Sequence, residues 1–204
     1  MLRRTFDIVF SASGLIMGFP VFLFIAAIIC LDSPGGPLFF QERVGYRGRP
    51  FMIWKFRTLY VGTGSGHPKG FVLDLSDDRV TRVGRILRYL HADEFPQFWN
   101  ILRGDMSIFG WRPMTLEAVE EGETEISNYR EPFFYFRPGL FSPAAKVPEY
   151  KRTGGIHERF HIDMWYVKNR TWLVDLRVLL AVFNLAKMPG EDENTPALEL
   201  ADQN

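Results

Sequence analysis

Two adjacent carboxylates, Asp93 and Glu94, carry the strongest chemical signal in the 204-residue sequence. They lie between a helical pattern that ends near Leu90 and a second one that starts near Pro96 and runs to about Arg103. Proline suits a first helical turn and pushes its predecessor out of the helical region, so the pair falls at a break. A carboxylate before a helix feels its positive end, which favours the ionised form and is also where phosphates bind. Capping of that helix is the plainer reading of the same residues. The surroundings favour chemistry. Arg88 lies just upstream, and Asp105 and Arg112 follow in Gly104-Asp105-Met106-Ser107 and Gly110-Trp111-Arg112-Pro113. A nucleophilic carboxylate, a second carboxylate for a divalent cation and several arginines together suit phosphoryl transfer.

Lys55 and Arg57 add to this set. In a strand over 50–59 they share a face with Phe51 and Ile53. Two cations two residues apart make a clamp for a diphosphate, or else a solvated pair on an edge strand. A competing pattern is His157-Glu158-Arg159-Phe160-His161, which matches the H-E-x-x-H zinc-hydrolase motif. Zinc needs a third ligand, and none follows at a convincing distance: Asp163 is too near, and Asp175 lies on an amphipathic helix.

These residues need elements to hold them. No charged residue occurs from Ile8 to Leu31, long enough for a membrane helix. Arg3 and Arg4 precede the run, and Arg43, Arg47, Arg49, Lys55 and Arg57 follow it. Basic residues favour the cytoplasmic side, so basic flanks at both ends predict a helix that enters, breaks near Pro20 and returns to the same face. A kinked full span is the alternative, and a signal peptide is disfavoured by the length of the run. Asp32-Ser33-Pro34-Gly35-Gly36-Pro37 ends it as a turn. Residues 38–44 and 50–59 then read as two strands around Gly45–Gly48. The glycine-rich stretch 61–70 lacks P-loop spacing and reads as a loop. Residues 77–90 predict a helix striped by Val83, Ile86, Leu87 and Leu90 beside Arg82, Arg85 and Arg88, facing either a core or lipid headgroups. Residues 130–141 pack aromatics among charges and prolines and read as a loop or short helix at the lipid interface. Residues 156–169 and 172–188 predict further helices.

Composition narrows the partners. With 24 basic and 24 acidic residues the net charge is zero, which argues against nucleic acid. The single cysteine, Cys30, allows no internal disulfide and suits a reducing compartment. The fold class is α/β and mostly helical: an N-terminal re-entrant membrane helix broken near Pro20, interfacial amphipathic helices and a small β-hairpin core. The domains read as a membrane helix over 1–31, a cytoplasmic or interfacial catalytic domain over 32–188, and a disordered tail over 189–204.

Taken in order, several stretches resemble the bacterial sugar transferases, the monotopic phosphoglycosyl transferases. They are Arg4-Thr5-Phe6-Asp7, Leu31-Asp32-Ser33-Pro34-Gly35, Phe40-Gln41-Glu42-Arg43-Val44-Gly45, Lys55-Phe56-Arg57-Thr58, Gly84-Arg85-Ile86-Leu87-Arg88, Asp93-Glu94-Phe95-Pro96-Gln97, residues 100–107 (Asn100 to Ser107) and Arg137-Pro138-Gly139. The resemblance implies that Asp93 attacks the β-phosphorus of a UDP-sugar, releases UMP and passes the phosphosugar to polyprenol (undecaprenyl) phosphate at the cytoplasmic face of a bacterial inner membrane. It implies that Glu94 helps bind Mg²⁺, and that Arg88 and Arg112, with Lys55 and Arg57, contact phosphates. Asp105 joins this expected substrate-binding set. So does Asp163, which matches an acidic position on a family helix and makes the zinc-like pattern a coincidence. Membrane lipids are expected partners; the sugar, the glycan pathway and any homo-oligomer stay open. Phe19-Pro20 stands where the family often has Ser-Pro, Trp111 where it has Pro, and Leu140-Phe141-Ser142 where Ile-Thr-Gly is common. The last two departures are expected to alter the nucleotide or sugar pocket. The alternatives are a catalytically silent membrane anchor for glycan assembly and a zinc hydrolase through His157 and His161.

Overall fold

The computed structural model describes residues 2–63, 77–146, 155–182 and 185. Most of the 61–70 loop, the end of the last predicted helix and the 189–204 tail lie outside them. The chain forms two compact units, one of residues 1–43 and 51–105, the other of residues 44–50 and 106–204.

The first unit opens with α1 (Leu2–Asp32), β1 (Leu38–Val44) and β2 (Pro50–Phe56), the two strands paired as a hairpin whose tip belongs to the second unit. It continues with α2 (Arg82–Tyr89) and α3 (Gln97–Arg103). The expected break in α1 is not an interruption. Pro20 lies inside one continuous helix, because proline forfeits a single N–H and the turns on either side keep theirs. Most apolar side chains of α1 are exposed, among them Ile16, Met17, Phe19, Leu23, Phe24 and Leu31. An apolar surface of that size calls for lipid.

One face of α1 is held along its length. Arg4 donates to the carbonyls of Ile101 (2.6 Å) and Leu102 (2.9 Å) at the end of α3. Phe10 meets Phe98, and Phe22 meets Phe56 and Phe95. At the other end Asp32 Oδ2 accepts from Val83 N at the start of α2 (3.1 Å). Ile29, Phe56, Leu87 and Ala92 form the buried core between these elements.

Helix α2 starts at Arg82, later than its apolar pattern predicts. Thr81 caps it by accepting from Gly84 N, and Val80 is drawn into an antiparallel bridge with Leu59. Its apolar stripe divides. Val83 and Leu87 pack inward, whereas Ile86, Tyr89 and Leu90 are exposed beside Arg82 and Arg85. The core-facing reading thus holds for Val83 and Leu87, while the other half of the stripe faces outward.

The second unit contains β3 (Ser107–Phe109), α4 (Leu116–Glu125), α5 (Glu131–Tyr135), β4 (Gly139–Phe141), α6 (Gly155–Asn169) and α7 (Trp172–Val182). Strands β3 and β4 are parallel, with Ser107 opposite Gly139 and Phe109 opposite Phe141. The 130–141 stretch is therefore partly core: Phe133 is buried, while Phe134 and Tyr135 are exposed. Helix α4 has no counterpart among the sequence expectations. Trp111, fully buried, stacks on Phe133 at 4.2 Å and donates its indole N–H to Phe136 O (2.8 Å). The departure at Trp111 builds core. On α7 the buried face is Asp175, Val178 and Ala181. Trp172, Leu173 and Leu176 are exposed, and Asp175 accepts the Tyr166 hydroxyl at 2.5 Å.

Candidate active site

Asp93 and Glu94 sit on a single 3₁₀ turn, Ala92–Glu94, between α2 and α3. His91 makes this turn possible. It adopts the left-handed conformation (φ 55°) just past the end of α2, a place that side chains other than glycine rarely take. Phe95 and Pro96 lead into α3, whose first residue is Gln97.

Three buried residues outside the expected set fix this turn against its neighbours. Asn100, on α3, acts as a surrogate strand partner: its Oδ1 accepts from Trp54 N (3.0 Å) and its Nδ2 donates to Met52 O (2.7 Å). That registers β2, and so Lys55, against α3. Gly84 lets α2 lie directly on the chain after β2, since a Cβ there would stand 2.3 Å from Thr58 O. One turn further along α2, Arg88 Nε donates to Thr58 Oγ1 at 2.9 Å. All three lie in the stretches that carry the family resemblance, but a local pattern does not show their long-range contacts.

The result is a charged cluster in the first unit. Lys55 Nζ contacts Glu94 Oε1 at 2.6 Å. Burial raises the Asp93 carboxyl above the usual carboxylate range and Glu94 pushes it the same way, while Lys55 and Arg88 pull it down. The helix end does not hold the Asp93 carboxyl below the usual carboxylate range, because desolvation outweighs it. Burial lowers the Arg88 guanidinium, which Asp93 and Asp77 hold up.

Arg57 does not join the cluster. Strand β2 ends at Phe56, and the Arg57 side chain turns into the end of α1. It donates to Gly36 O (2.6 Å), Ser33 Oγ (2.6 Å) and Ser33 O (2.9 Å), with longer contacts to Ile29 O and Gly35 O. The expected pairing with Lys55 fails because the alternation of the strand stops one residue too early. Asp105 is also apart, beyond the far end of the seven-residue α3, within reach of Arg103 (3.4 Å) and Asn100 (3.4 Å).

Arg112 and Asp163 belong to the second unit. Asp163 is buried on α6, with Arg159 and Arg112 as its electrostatic partners, and burial pushes its carboxyl up to about 7. The zinc-like pattern has no such support. His157 Nε2 faces Glu125 at 3.4 Å, His161 lies edge-on to Phe160, and no group of three or more His, Cys, Asp or Glu that could hold a metal occurs among the described residues.

Asp93 and Glu94 do fit Mg²⁺ of another kind. That ion is commonly bound by one or two carboxylates, with water and substrate phosphates completing its octahedron. Burial is the main cause of the raised Asp93 carboxyl, and Glu94 adds to it; a cation beside the pair would offset that second contribution.

Residues 1–187 match the family model described as bacterial sugar transferase. The chain is 35% identical over 183 residues to a UDP-N-acetylgalactosamine-undecaprenyl-phosphate N-acetylgalactosaminephosphotransferase of Aeromonas hydrophila, covering 87% of this chain and 42% of that protein. It is 36% identical over 184 residues to a UDP-glucose:undecaprenyl-phosphate glucose-1-phosphate transferase of Caulobacter vibrioides, covering 87% and 67%. An exopolysaccharide production protein of Rhizobium leguminosarum bv. phaseoli is 34% identical over 187 residues, covering 88% and 92%. The chain thus spans less than half the length of the first of these relatives.

Proposed function

The chain belongs to the membrane-associated bacterial sugar transferase family, and from that premise we propose that it transfers a sugar 1-phosphate from a UDP-sugar to undecaprenyl phosphate at the cytoplasmic face of the inner membrane. The observation that carries this reading is the half-buried Asp93, flanked by Glu94 and acted on by Lys55 and Arg88. A carboxylate poorly solvated yet faced by two cations is a nucleophile prepared for phosphorus.

In the proposed reaction an Asp93 carboxylate oxygen bonds to the β-phosphorus of the donor. The bond from that phosphorus to the bridging oxygen breaks, and UMP leaves with the electron pair. An oxygen of the lipid phosphate then attacks the same phosphorus and expels Asp93, giving a polyprenyl diphosphate sugar. Both displacements run in line and gain mainly from positioning and charge. Lys55 and Arg88 hold the carboxylates and the incoming phosphates together. Glu94 would help hold Mg²⁺, which when bound neutralises diphosphate charge. The apolar face of α1 places this chemistry at the lipid boundary, where a soluble donor and a lipid acceptor both reach it.

The test is incubation of the purified protein with UDP-glucose, UDP-N-acetylgalactosamine and related donors, Mg²⁺ and undecaprenyl phosphate, read as UMP release. Asp93→Asn should abolish release, and mass spectrometry of the wild type without acceptor should find a phosphosugar adduct on the peptide carrying Asp93. A folded Asp93→Asn protein that releases UMP at the wild-type rate sinks the covalent mechanism. No release from any donor by the wild type leaves the silent-anchor alternative.

A further inference from the structure

We propose that Thr58 is a positioning residue for the transfer: its buried hydroxyl holds the Nε edge of Arg88 and so aims that guanidinium at Asp93 and the donor phosphates. The case begins with one hydrogen. An arginine Nε carries a single N–H, and that of Arg88 is donated to Thr58 Oγ1 at 2.9 Å. Whatever the terminal nitrogens meet, this edge belongs to Thr58. An oxyanion that approaches Arg88 is then met through the terminal nitrogens and not through the Nε side. The inference rests on the transferase reading for the reaction that Arg88 serves.

The hydroxyl is a fixed point. Thr58 is 7% exposed, and the backbone on both sides of it is pinned. Before it, Arg57 N donates to Pro37 O (2.8 Å). Its own carbonyl accepts from Thr81 N (3.0 Å), Tyr60 N donates to Arg79 O (3.0 Å), and Leu59 bridges to Val80. Thr81 in turn caps α2 by accepting from Gly84 N (2.9 Å). Gly84 brings α2 onto this segment so closely that a Cβ would stand 2.8 Å from Thr58 Cα. Arg88 follows one turn later on the same face of α2. Helix, cap and short ladder thus converge on Thr58, and its side chain is where they reach a charge of the site.

The charge matters because of where it stands. Arg88 and Asp93 act on each other, and Asp77 and Arg79 act on Arg88 as well. Such forces alone do not select which edge of a planar fork faces the carboxylates. A hydrogen bond does, being directional where Coulomb attraction is not. Valine at position 58 would fill the same space but set a methyl against the Nε–H, stranding a half-buried donor. The guanidinium would turn to satisfy that donor, keeping its charge and losing its aim. Preorganised charge acts mainly on the transition state, so the loss falls on kcat rather than on KM.

The test combines steady-state UMP release with the Arg88 Nε–H resonance of the purified full chain in detergent. Thr58→Val should lower kcat roughly tenfold, with KM for the UDP-sugar changed by less than about threefold. Thr58→Ser keeps the hydroxyl and should restore most of the rate. Arg88→Lys replaces the fork by a point charge with no edge to aim, so in that background Thr58→Val should cost little further. In protein labelled with ¹⁵N-arginine, the Nε–H peak that Arg88→Lys deletes should exchange slowly with solvent in the wild type and fast in Thr58→Val. The proposal is overturned by a Thr58→Val rate within about twofold of wild type, by a serine variant as slow as the valine one, or by a loss that multiplies with Arg88→Lys. Fast exchange of the wild-type Nε–H also overturns it, and that result stands even if Thr58→Val does not fold. Wild-type protein that releases no UMP rejects the transferase reading, and the resonance then decides the Thr58–Arg88 contact by itself.

Discussion

Lys55 and Glu94 meet at 2.6 Å with side chains 22% and 20% exposed, so this ion pair is largely withdrawn from water. Lys55 also acts on Asp93, where it is the strongest influence opposing burial. One ammonium therefore steadies two adjacent carboxylates, of which in the proposed mechanism one attacks and the other binds charge. Replacing it by methionine keeps the length of the side chain and removes the charge. Lys55→Met should lower kcat for UMP release about 100-fold, the scale of losing one preorganised charged donor. Its melting temperature should change little by comparison. Steady-state rates across a UDP-sugar series measure this; activity within twofold of wild type would show that the pair is ornamental.

Arg57 leads to the opposite expectation. Its guanidinium satisfies carbonyls at the end of α1 and in the following turn, from Ile29 to Gly36. Helix ends leave such carbonyls unsatisfied, and a lysine cannot reproduce the planar fork that reaches them. Arg57→Lys should destabilise the protein by about 2–4 kcal/mol, the cost of stranding several buried acceptors. Thermal unfolding in detergent reads it directly. If the variant melts like wild type but has lost donor affinity, Arg57 is a phosphate ligand after all.

The contrast between these two cations shows what the sequence made legible. Asp93 and Glu94 were readable because they adjoin in the chain, and punctuation by Pro96 marks their turn. The hairpin was readable because β1 and β2 are bounded by glycine and proline. Arg57 was not, since its partners lie more than 20 residues away and a strand pattern does not announce its last residue. Helix α4 was missed for a related reason: its acidic surface offers only a weak apolar stripe, and its clearest signal is the Thr115 cap, which accepts from Ala118 N. Asn100 was visible as part of a matching stretch, but its bonds to Met52 and Trp54 exist only once α3 and β2 are packed.

Trp111 provides a test of the second unit by itself. The indole is fully buried, stacked on Phe133 and hydrogen-bonded to Phe136 O. Truncating a buried tryptophan costs about 3–5 kcal/mol through lost transfer energy and the cavity left behind. For a protein of this size, Trp111→Ala should lower the melting temperature on the order of ten degrees. Trp111→Pro, the residue the family resemblance suggests, should also destabilise, because Phe133 and Phe136 have settled around an indole. Donor selectivity should be unchanged wherever the variants remain folded. A variant that melts normally but prefers a different UDP-sugar would return Trp111 to the substrate pocket.

Asp163 predicts how stability depends on pH. In the folded protein its carboxyl is pushed up to about 7 by burial, whereas an aspartate in an unfolded chain titrates near ~3.9. Between these values the folded state holds a proton that the unfolded state has released. Raising the pH therefore favours unfolding, by up to about 1.4 kcal/mol per pH unit. The contribution is fully present below about pH 4 and is lost as pH rises through about 7. Its upper bound over that window is on the order of 4 kcal/mol. Asp163→Asn cannot ionise and should lack this slope. Unfolding of both proteins in the same detergent at pH 5, 7 and 8.5 isolates the effect, since every other titrating group cancels in the difference. The wild type should lose stability relative to the variant from pH 5 to 7 and hold a constant offset above about 7.5. A flat difference across the series would mean that Asp163 is ionised when folded, its buried oxygen satisfied by a partner such as internal water.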